Sequence, residues 1–550
     1  MCKSYAMGGA GNEQINHKEK AKMGSLKNRF RGLQNQKKMI YLSLVVKEEE
    51  MQGGKRKNAG RKAIPDNEKK VGYKVYLTQE QQADVERFGI GSSFSERCVS
   101  LLEKTLEEER MMSETTVRFI DLFAGLGGIR IGFEEGMKVA GFETRCVFSS
   151  EIKKYAIKAY QNHFGNEKIF GDITKANVDK DIPDFDFLLA GFPCQPFSAA
   201  GKGLGFADTR GTMFFEIERI LKGKIESNHP AKGFLLENVE GLVNHDGGKT
   251  LKVILAHLRK LGYTVNCELL DSQYFGLAQS RKRVYIVGMY NGEVKLDNFE
   301  VRTATLGDIL EKGLPTVNSK FTKKLFENYS VEEVIGKSIK DKRGGSDNIH
   351  SWDLELKGKT SLEQRQLLNT MLKERRKKKW AEEIGIKWMD GMPLTEEQIR
   401  TFYDKPNLHK MLEDLTQKGY LTFEHPKQAV DGVRVPDESK PKGYNIVAGK
   451  LSFEFSKILN PEELAPTLVA MDVSKLGIID NGGLRRLTIG EAQRLCGYNP
   501  ESYDLSVVKE SEAYDLLGNT VCVPVIRDIA ERMGFEYRRV TNEINCAASL

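Results

Sequence analysis

Between residues 117 and 289 the chain alternates short apolar runs with amphipathic stretches of helical length, and this rhythm constrains the fold more than any other feature. Runs at 119–123, 185–190, 233–236 and 284–288 are apolar at nearly every position. A strand that is apolar on both sides needs cover on both faces, the environment of a parallel sheet between helices. All four runs read as parallel strands, and the expected fold class is α/β with a doubly wound sheet. Ligands of such sheets bind at the carboxyl ends of the strands, so chemistry is expected just past each run.

With 550 residues the chain has room for two to four domains. No apolar run is long enough to span a membrane. The eight cysteines form no CxxC pair and no Cys/His cluster at metal-ligand spacing, so no metal is expected, and reduced thiols fit a cytoplasmic protein. The net charge of +7 is uneven. Residues 1–70 hold 17 Lys and Arg against 7 Asp and Glu, a local balance of +10, which leaves about −3 for the rest. A basic arm on a near-neutral body suits a polyanionic partner.

Residues 1–70 read as a basic, disordered tail without sustained periodicity, and Met51 is a candidate translation start. Residues 71–112 change character. Tyr73, Val75 and Leu77 alternate like a strand, Thr78 with Gln81 forms a capping box, and Ser93 with Glu96 forms another. Strand, helix, helix resembles the ribbon–helix–helix DNA-binding fold, a small α+β element that works as a dimer. The resemblance implies operator DNA as a partner of residues 51–112, with Lys74 and Tyr76 facing the groove and self-regulation as the use. The core is expected over 116–290. Residues 291–480 lose the alternation, and 481–550 regain helical patterning. Within the middle region two helices, a turn and a strand at 420–423 suggest a winged helix.

Four motifs fall at strand ends. The strand at 119–123 runs into Ala124-Gly125-Leu126-Gly127-Gly128, and glycines allow close approach of a ligand to backbone. Glu151 and Asp172 follow as acids able to read ribose hydroxyls and an adenine amine. Cys194, in Gly191-Phe192-Pro193-Cys194-Gln195, heads a glycine-rich loop at 199–211 that could close over a substrate. Glu237, in Glu237-Asn238-Val239, ends a buried strand, where desolvation raises a carboxyl pKa. Arg281 and Arg283, at i and i+2 in Gln279-Ser280-Arg281-Lys282-Arg283, share a side and suit a polarised oxygen.

In this order, with Asp208-Thr209-Arg210-Gly211 before Met213, Arg485-Arg486-Leu487-Thr488, and Gly518-Asn519-Thr520-Val521, these blocks resemble the cytosine-5 DNA methyltransferase family over residues 117–290 and 465–535. The resemblance implies a Rossmann-like core that binds S-adenosylmethionine and a smaller target-recognition domain at 291–480, ended by Pro466-Thr467-Leu468. The 481–550 segment would then return to the core. It places Phe123, Gly125, Gly127, Glu151, Ile152, Asp172, Ile173, Pro193, Met213 and Asn519 around the cofactor. It makes Cys194 the nucleophile at cytosine C6, Glu237 the donor to N3, Arg283 the partner of O2, and Arg281 the residue that steadies the closed loop.

The residue types match the chemistry. Cytosine C5 is a poor nucleophile until a thiolate adds at C6 and makes the ring an enamine. Charge then builds on N3 and O2, where an acid and a guanidinium lower the barrier. The ring edge is stacked in a duplex, so the target base must be flipped out. Double-stranded DNA and, by family habit, a cognate restriction endonuclease are the expected partners, with a nucleoid-associated cytoplasmic location. Two other readings compete: a tRNA cytosine-5 methyltransferase, and a non-catalytic DNA-binding regulator.

Overall fold

The computed structural model describes residues 79–101, 116–193, 213–341, 348–387, 391–430, 433–447 and 453–548. Two units divide the chain, Met1–Glu114 and Thr115–Leu550. In the first, helix α1 (Gln79–Phe88) precedes a second helix opened by the Ser93/Glu96 capping box. There the Glu96 N–H donates to Ser93 Oγ, and the Ser93 N–H to Glu96 Oε2, each at 3.3 Å. The strand expected at 73–77, with Lys74 and Tyr76, lies outside the described residues.

The second unit is built on a seven-stranded sheet: β1 (Thr116–Leu122), β2 (Glu143–Ser150), β3 (Ile169–Phe170), β4 (Phe187–Gly191), β5 (Gly233–Val239), β6 (Thr264–Asp271) and β7 (Lys282–Met289). Their spatial order is β3-β2-β1-β4-β5-β7-β6. The pairs among β1 to β5 are parallel, but β7 runs antiparallel to both of its neighbours. This corrects the expectation that 284–288 is a parallel strand. A parallel return needs a crossover of a dozen or more residues, and only 272–281 separate β6 from β7, so the chain must double back. β6 itself has no apolar run: it is an edge strand and half exposed.

Helices α2 (Gly128–Val139), α3 (Lys154–Phe164), α4 (Met213–Glu226) and α5 (Lys249–Lys260) follow strands in turn. The period of two along β1 sends Val117 and Phe119 to one face and Ile120 and Leu122 to the other. The first face packs on α2. The second packs on α4 and α5 through residues such as Ile217, Leu221, Ile254 and Leu258.

The middle region holds two further cores. One is helical, from α6 (Leu362–Glu374), α7 (Glu396–Arg400) and α8 (Leu408–Gln417), with Trp352, Leu368, Leu412 and Ile446 inside. The other supports a five-stranded sheet. Its strands are β8 (Ser338–Ile339), β9 (Asn348–Ile349), β14 (Lys457–Ile458), β15 (Leu476–Asp480) and β16 (Gly483–Arg486), in the order β16-β15-β14-β8-β9. Strands β10 (Leu421–Glu424), β11 (Lys427–Val430), β12 (Val433–Pro436) and β13 (Gly443–Ile446) belong with the helices.

The chain then returns through α9 (Ile489–Cys496), α10 (Glu510–Asn519) and α11 (Val523–Ala548). The last helix lies against α2. Gly132 and Gly136 are one turn apart and face α11 so closely that an added Cβ would meet Ile526 Cβ at 2.6 Å or Arg527 O at 2.4 Å. Helix propensity alone would favour alanine here by about 1 kcal/mol, so close approach of the two helices decides these positions. Gly136→Val should destabilise by about 1–3 kcal/mol through overpacking. Thermal unfolding should show this as a midpoint several degrees lower, while Val139→Ala, on the exposed end of the same helix, should leave the midpoint in place.

Candidate active site

Strands β1, β2, β4 and β5 end at one edge of the sheet, and antiparallel β7 begins there. Past β1 the chain turns through Phe123, Gly125 and Gly127 at φ 57°, 54° and 70°. Positive φ is ordinary for glycine but strained for phenylalanine, by roughly 1–3 kcal/mol. The turn is held from several sides. The Ala124 N–H donates to Ser150 O at 3.0 Å, and the Gly125 N–H donates to Glu151 Oε2 at 2.9 Å. Gly127 cannot carry a side chain, because a Cβ would meet the Phe164 ring at 2.4 Å. Above Gly125, by contrast, a Cβ would find nothing nearer than Phe123 O at 3.9 Å, which leaves space for a ligand.

Glu151 spends its other oxygen on the N–H groups of Ile152 and Lys153, each at 2.8 Å. This fixes the carboxylate beside the glycine turn. The neighbouring Ile152 is 72% exposed, an unusual state for isoleucine and a ready apolar surface for a planar ring. Past β3, Asp172 is half-buried and caps the turn at Ile173–Lys175 by accepting from the Thr174 N–H. Ile173 is buried in the core, so its side chain is committed to packing. Arg219 on α4 binds this turn through Ile173 O and Ala176 O, tying it to the helix that starts at Met213.

Asn519 reaches the same edge through α10. Its side-chain amide donates to Asp515 O, and Asp515 accepts from Lys153 Nζ and Tyr155 OH at 3.0 and 2.6 Å. A carboxylate beside an open glycine turn, an exposed isoleucine and a further acid together fit a nucleoside with a ribose and a planar base. The residues present therefore fit S-adenosylmethionine.

Past β4 the described chain runs to exposed Pro193, and Cys194 and the loop at 199–211 lie outside the described residues. What positions that exit is visible. Asn238, buried at the end of β5, donates its side-chain amide to Phe192 O at 3.0 Å. In the sequence the only signal for Asn238 is an amide placed directly after Glu237 at the end of an apolar run.

Glu237 and Arg283 form a pair at the heart of the edge. In the antiparallel register Glu237 lies opposite Tyr285 and Val239 opposite Arg283, which sets the two side chains diagonally on one face. Arg283 Nε stands 3.1 Å from Glu237 Oε1, both largely out of water. Burial raises the Glu237 carboxyl pKa, opposed by the charges of Arg283 and Arg281. Burial, followed by the like charge of Arg281, lowers that of Arg283.

Arg281 is 3% exposed and spends its guanidinium on backbone. It donates to Leu468 O at 2.8 Å, Thr520 O at 2.6 Å and, more loosely, Gly518 O. Beside it, fully buried Gln279 donates to Leu495 O and accepts from the Leu468 N–H at 2.8 and 2.9 Å. Thus the motif at 279–283 puts one arginine on the Glu237 carboxylate and the other on the two segments that flank Asn519 and close the middle region.

Comparison with known proteins places the chain in a family. The family model for C-5 cytosine-specific DNA methylase matches residues 117–534. Type II methyltransferase M.NlaIV of Neisseria lactamica is 55% identical over 424 residues, 76% of this chain and 98% of that protein. M.NgoBV of Neisseria gonorrhoeae is 54% identical over the same length and coverage, and M.BanI of Aneurinibacillus aneurinilyticus is 42% identical over 440 residues, 76% of this chain and 95% of that one. Carrying this match across three quarters of its length, the chain belongs to the C-5 cytosine-specific DNA methylase family.

Proposed function

We propose that Cys194, Glu237 and Arg283 carry out the cytosine-5 DNA methylation that family membership assigns to this protein. The observation that supports this most directly is the buried Glu237–Arg283 pair beside the strand exit leading to Cys194. S-adenosylmethionine supplies the activated methyl group, and Phe123, Gly125, Gly127, Glu151, Ile152, Asp172, Ile173, Pro193, Met213 and Asn519 are the residues we assign to hold it. Ile173 would contribute through its backbone.

The thiolate of Cys194 adds to C6 of a flipped-out cytosine, and the displaced ring electrons build charge on N3 and O2. Glu237, whose proton is held more tightly because burial raises its pKa, gives that proton to N3. Arg283 stabilises O2. The resulting enamine would take the methyl group at C5, with S-adenosylhomocysteine as the leaving group; a base then removes the C5 proton, the thiolate leaves, and the N3 proton returns to Glu237, which restores the ring. Arg281 acts as a positioning residue through the carbonyls of Leu468, Gly518 and Thr520, which places Asn519. Asn238 sets the direction in which the chain leaves β4 toward Cys194.

We assign two further partners. The names of the relatives support a cognate restriction endonuclease. Operator DNA for residues 51–112 is supported by the basic arm, the Ser93/Glu96 capping box and the exposure of Phe88, Ile90, Phe94 and Val99, an apolar set that a second chain would cover. A gel shift with full-length protein on its own promoter tests the operator role; equal binding to unrelated DNA would overturn it. Cytoplasmic location follows from this reading, and no described helix is long and apolar enough to cross a membrane.

Genome-wide bisulfite sequencing of a host expressing the chain tests the reaction. Protected cytosines should recur in one short sequence and vanish with Cys194→Ala; protection that survives would remove the cysteine from its role. The pH profile tests Glu237. Its pKa is raised, so its proton persists to higher pH than in a free carboxylic acid and is lost as pH rises through the folded value. Methyl transfer should fall on that alkaline limb in the wild type. Glu237→Gln, which can donate a hydrogen bond but not a proton, should lower the rate by about 10²–10⁴-fold and flatten that limb. Asn238→Ala should reduce kcat while cofactor binding, followed by calorimetry, stays unchanged.

A further inference from the structure

The recognition region contains a module with its own core, and its element order is specific. Helix α6 is followed by a short helix at Lys379–Glu383, an extended residue, Leu394, then α7, α8, strand β10, the hairpin β11–β12 and strand β13. Leu394 and Tyr444 exchange backbone hydrogen bonds at 3.0 and 2.7 Å, and β13 pairs antiparallel with β10, so three strands close the helices. Gly443 makes this possible, since a Cβ there would meet the Leu394 backbone at 2.5 Å. Apart from the short helix at Lys379–Glu383, which adds Trp380 and Ala381 to the core behind α6, the order is that of a winged helix: α6, Leu394, α7, α8, β10, the wing β11–β12 and β13. The seventeen buried residues of its core all fall between Trp352 and Ile446, which marks it as a separate unit of packing.

The two sides of α8 differ sharply. Leu408, Met411, Leu412 and Leu415 are buried. The outward positions are His409, Lys410, Glu413 and Gln417, with no exposed large apolar residue among them. His409 is held between the carboxylates of Glu396 and Glu413, at 2.7 and 3.4 Å. Lys410 and Gln417 are exposed and have no partner among the described residues, and the same holds for Gln428 and Arg434 on the wing. A polar helix face with long, unspent donors matches the hydrogen-bonding edges of a DNA groove better than the apolar centre of a protein interface.

We propose that this winged helix reads the target sequence, with α8 in the major groove, Lys410 and Gln417 meeting base edges, and Arg434 on the wing meeting a phosphate. The inference rests on the assignment of the protein as a DNA methylase and adds the residues that choose its site. A lysine suits the acceptors of guanine and a glutamine the donor–acceptor pair of adenine, whereas a phosphate contact adds affinity without sequence information.

The test is methylation of a randomised duplex library by the full-length enzyme, read by bisulfite sequencing at several salt concentrations. Wild-type protein should select a defined sequence. Lys410→Ala and Gln417→Ala should each relax the preference at particular positions by roughly 5- to 150-fold, the discrimination of one good side chain–base pair. Arg434→Gln should weaken binding evenly across sequences and reduce the salt slope by about 1. Gln366→Ala, on the exposed side of α6, should keep the wild-type preference. All four side chains are exposed, and unfolding midpoints check that each variant folds. An unchanged preference in the Lys410→Ala/Gln417→Ala double variant would overturn the proposal and turn α8 toward a protein partner. Absence of methylation by the wild type would instead count against the reading of the protein as a DNA methylase.

Discussion

The catalytic edge depends on a close approach between two helices far apart in sequence. Helix α2 carries Gly128, Gly132 and Gly136 on one side, and each of these glycines faces the returning chain with no room for a Cβ. Gly128, the first residue of α2, backs onto Tyr498, Thr520 and Val521, while the other two meet α11. The glycine turn that we assign to the cofactor is therefore pressed from behind by the C-terminal segment. Phe123 can hold a strained backbone angle only because such surroundings fix it. Whatever the middle region contains, it must bring the chain back to this surface.

How the return is enforced is clear from the segment 279–283. Gln279 and Arg281 are buried and spend their side chains on the backbone at Leu468, Leu495, Gly518 and Thr520. Replacing either by an apolar residue would leave dry backbone groups unpaired, at about 1–3 kcal/mol for each. Two residues further along, Arg283 pairs with Glu237. A single strand entry thus fastens the returning chain and completes the proposed Glu237–Arg283 pair, which couples the correct closure of the fold to the chemistry.

Much of this edge was legible in the sequence because its side chains fall in short runs at strand ends. The runs at 119–123, 185–190 and 233–236 are parallel strands, and their carboxyl ends lie at one edge. The antiparallel sense of β7 was hidden by a run as apolar as any parallel strand; only the short link from β6 reveals it, and β6 is a half-exposed edge strand with no apolar run of its own. The glycine ladder of α2 has meaning only beside α11, a partner that local periodicity cannot name. The spacing of Arg281 and Arg283 put both on one side, suited to a polarised oxygen, and the resemblance gave them separate roles; neither reveals that the Arg281 guanidinium is sealed among backbone carbonyls while that of Arg283 faces Glu237.

The winged helix was suggested by helix, turn, helix and strand, yet what completes it is Leu394, a single extended residue whose bridge to Tyr444 no periodicity could show. The same feature explains how specificity can change without loss of chemistry. The module packs on its own core, and the strap at Gln279 and Arg281 holds the chain after it has returned. Substitutions on the outer side of α8 need not disturb Leu408, Met411, Leu412 or Leu415, and none of these touches the sheet edge. Base selection and methyl transfer therefore occupy parts of the molecule whose packing is separate, and only the bound duplex needs to span both.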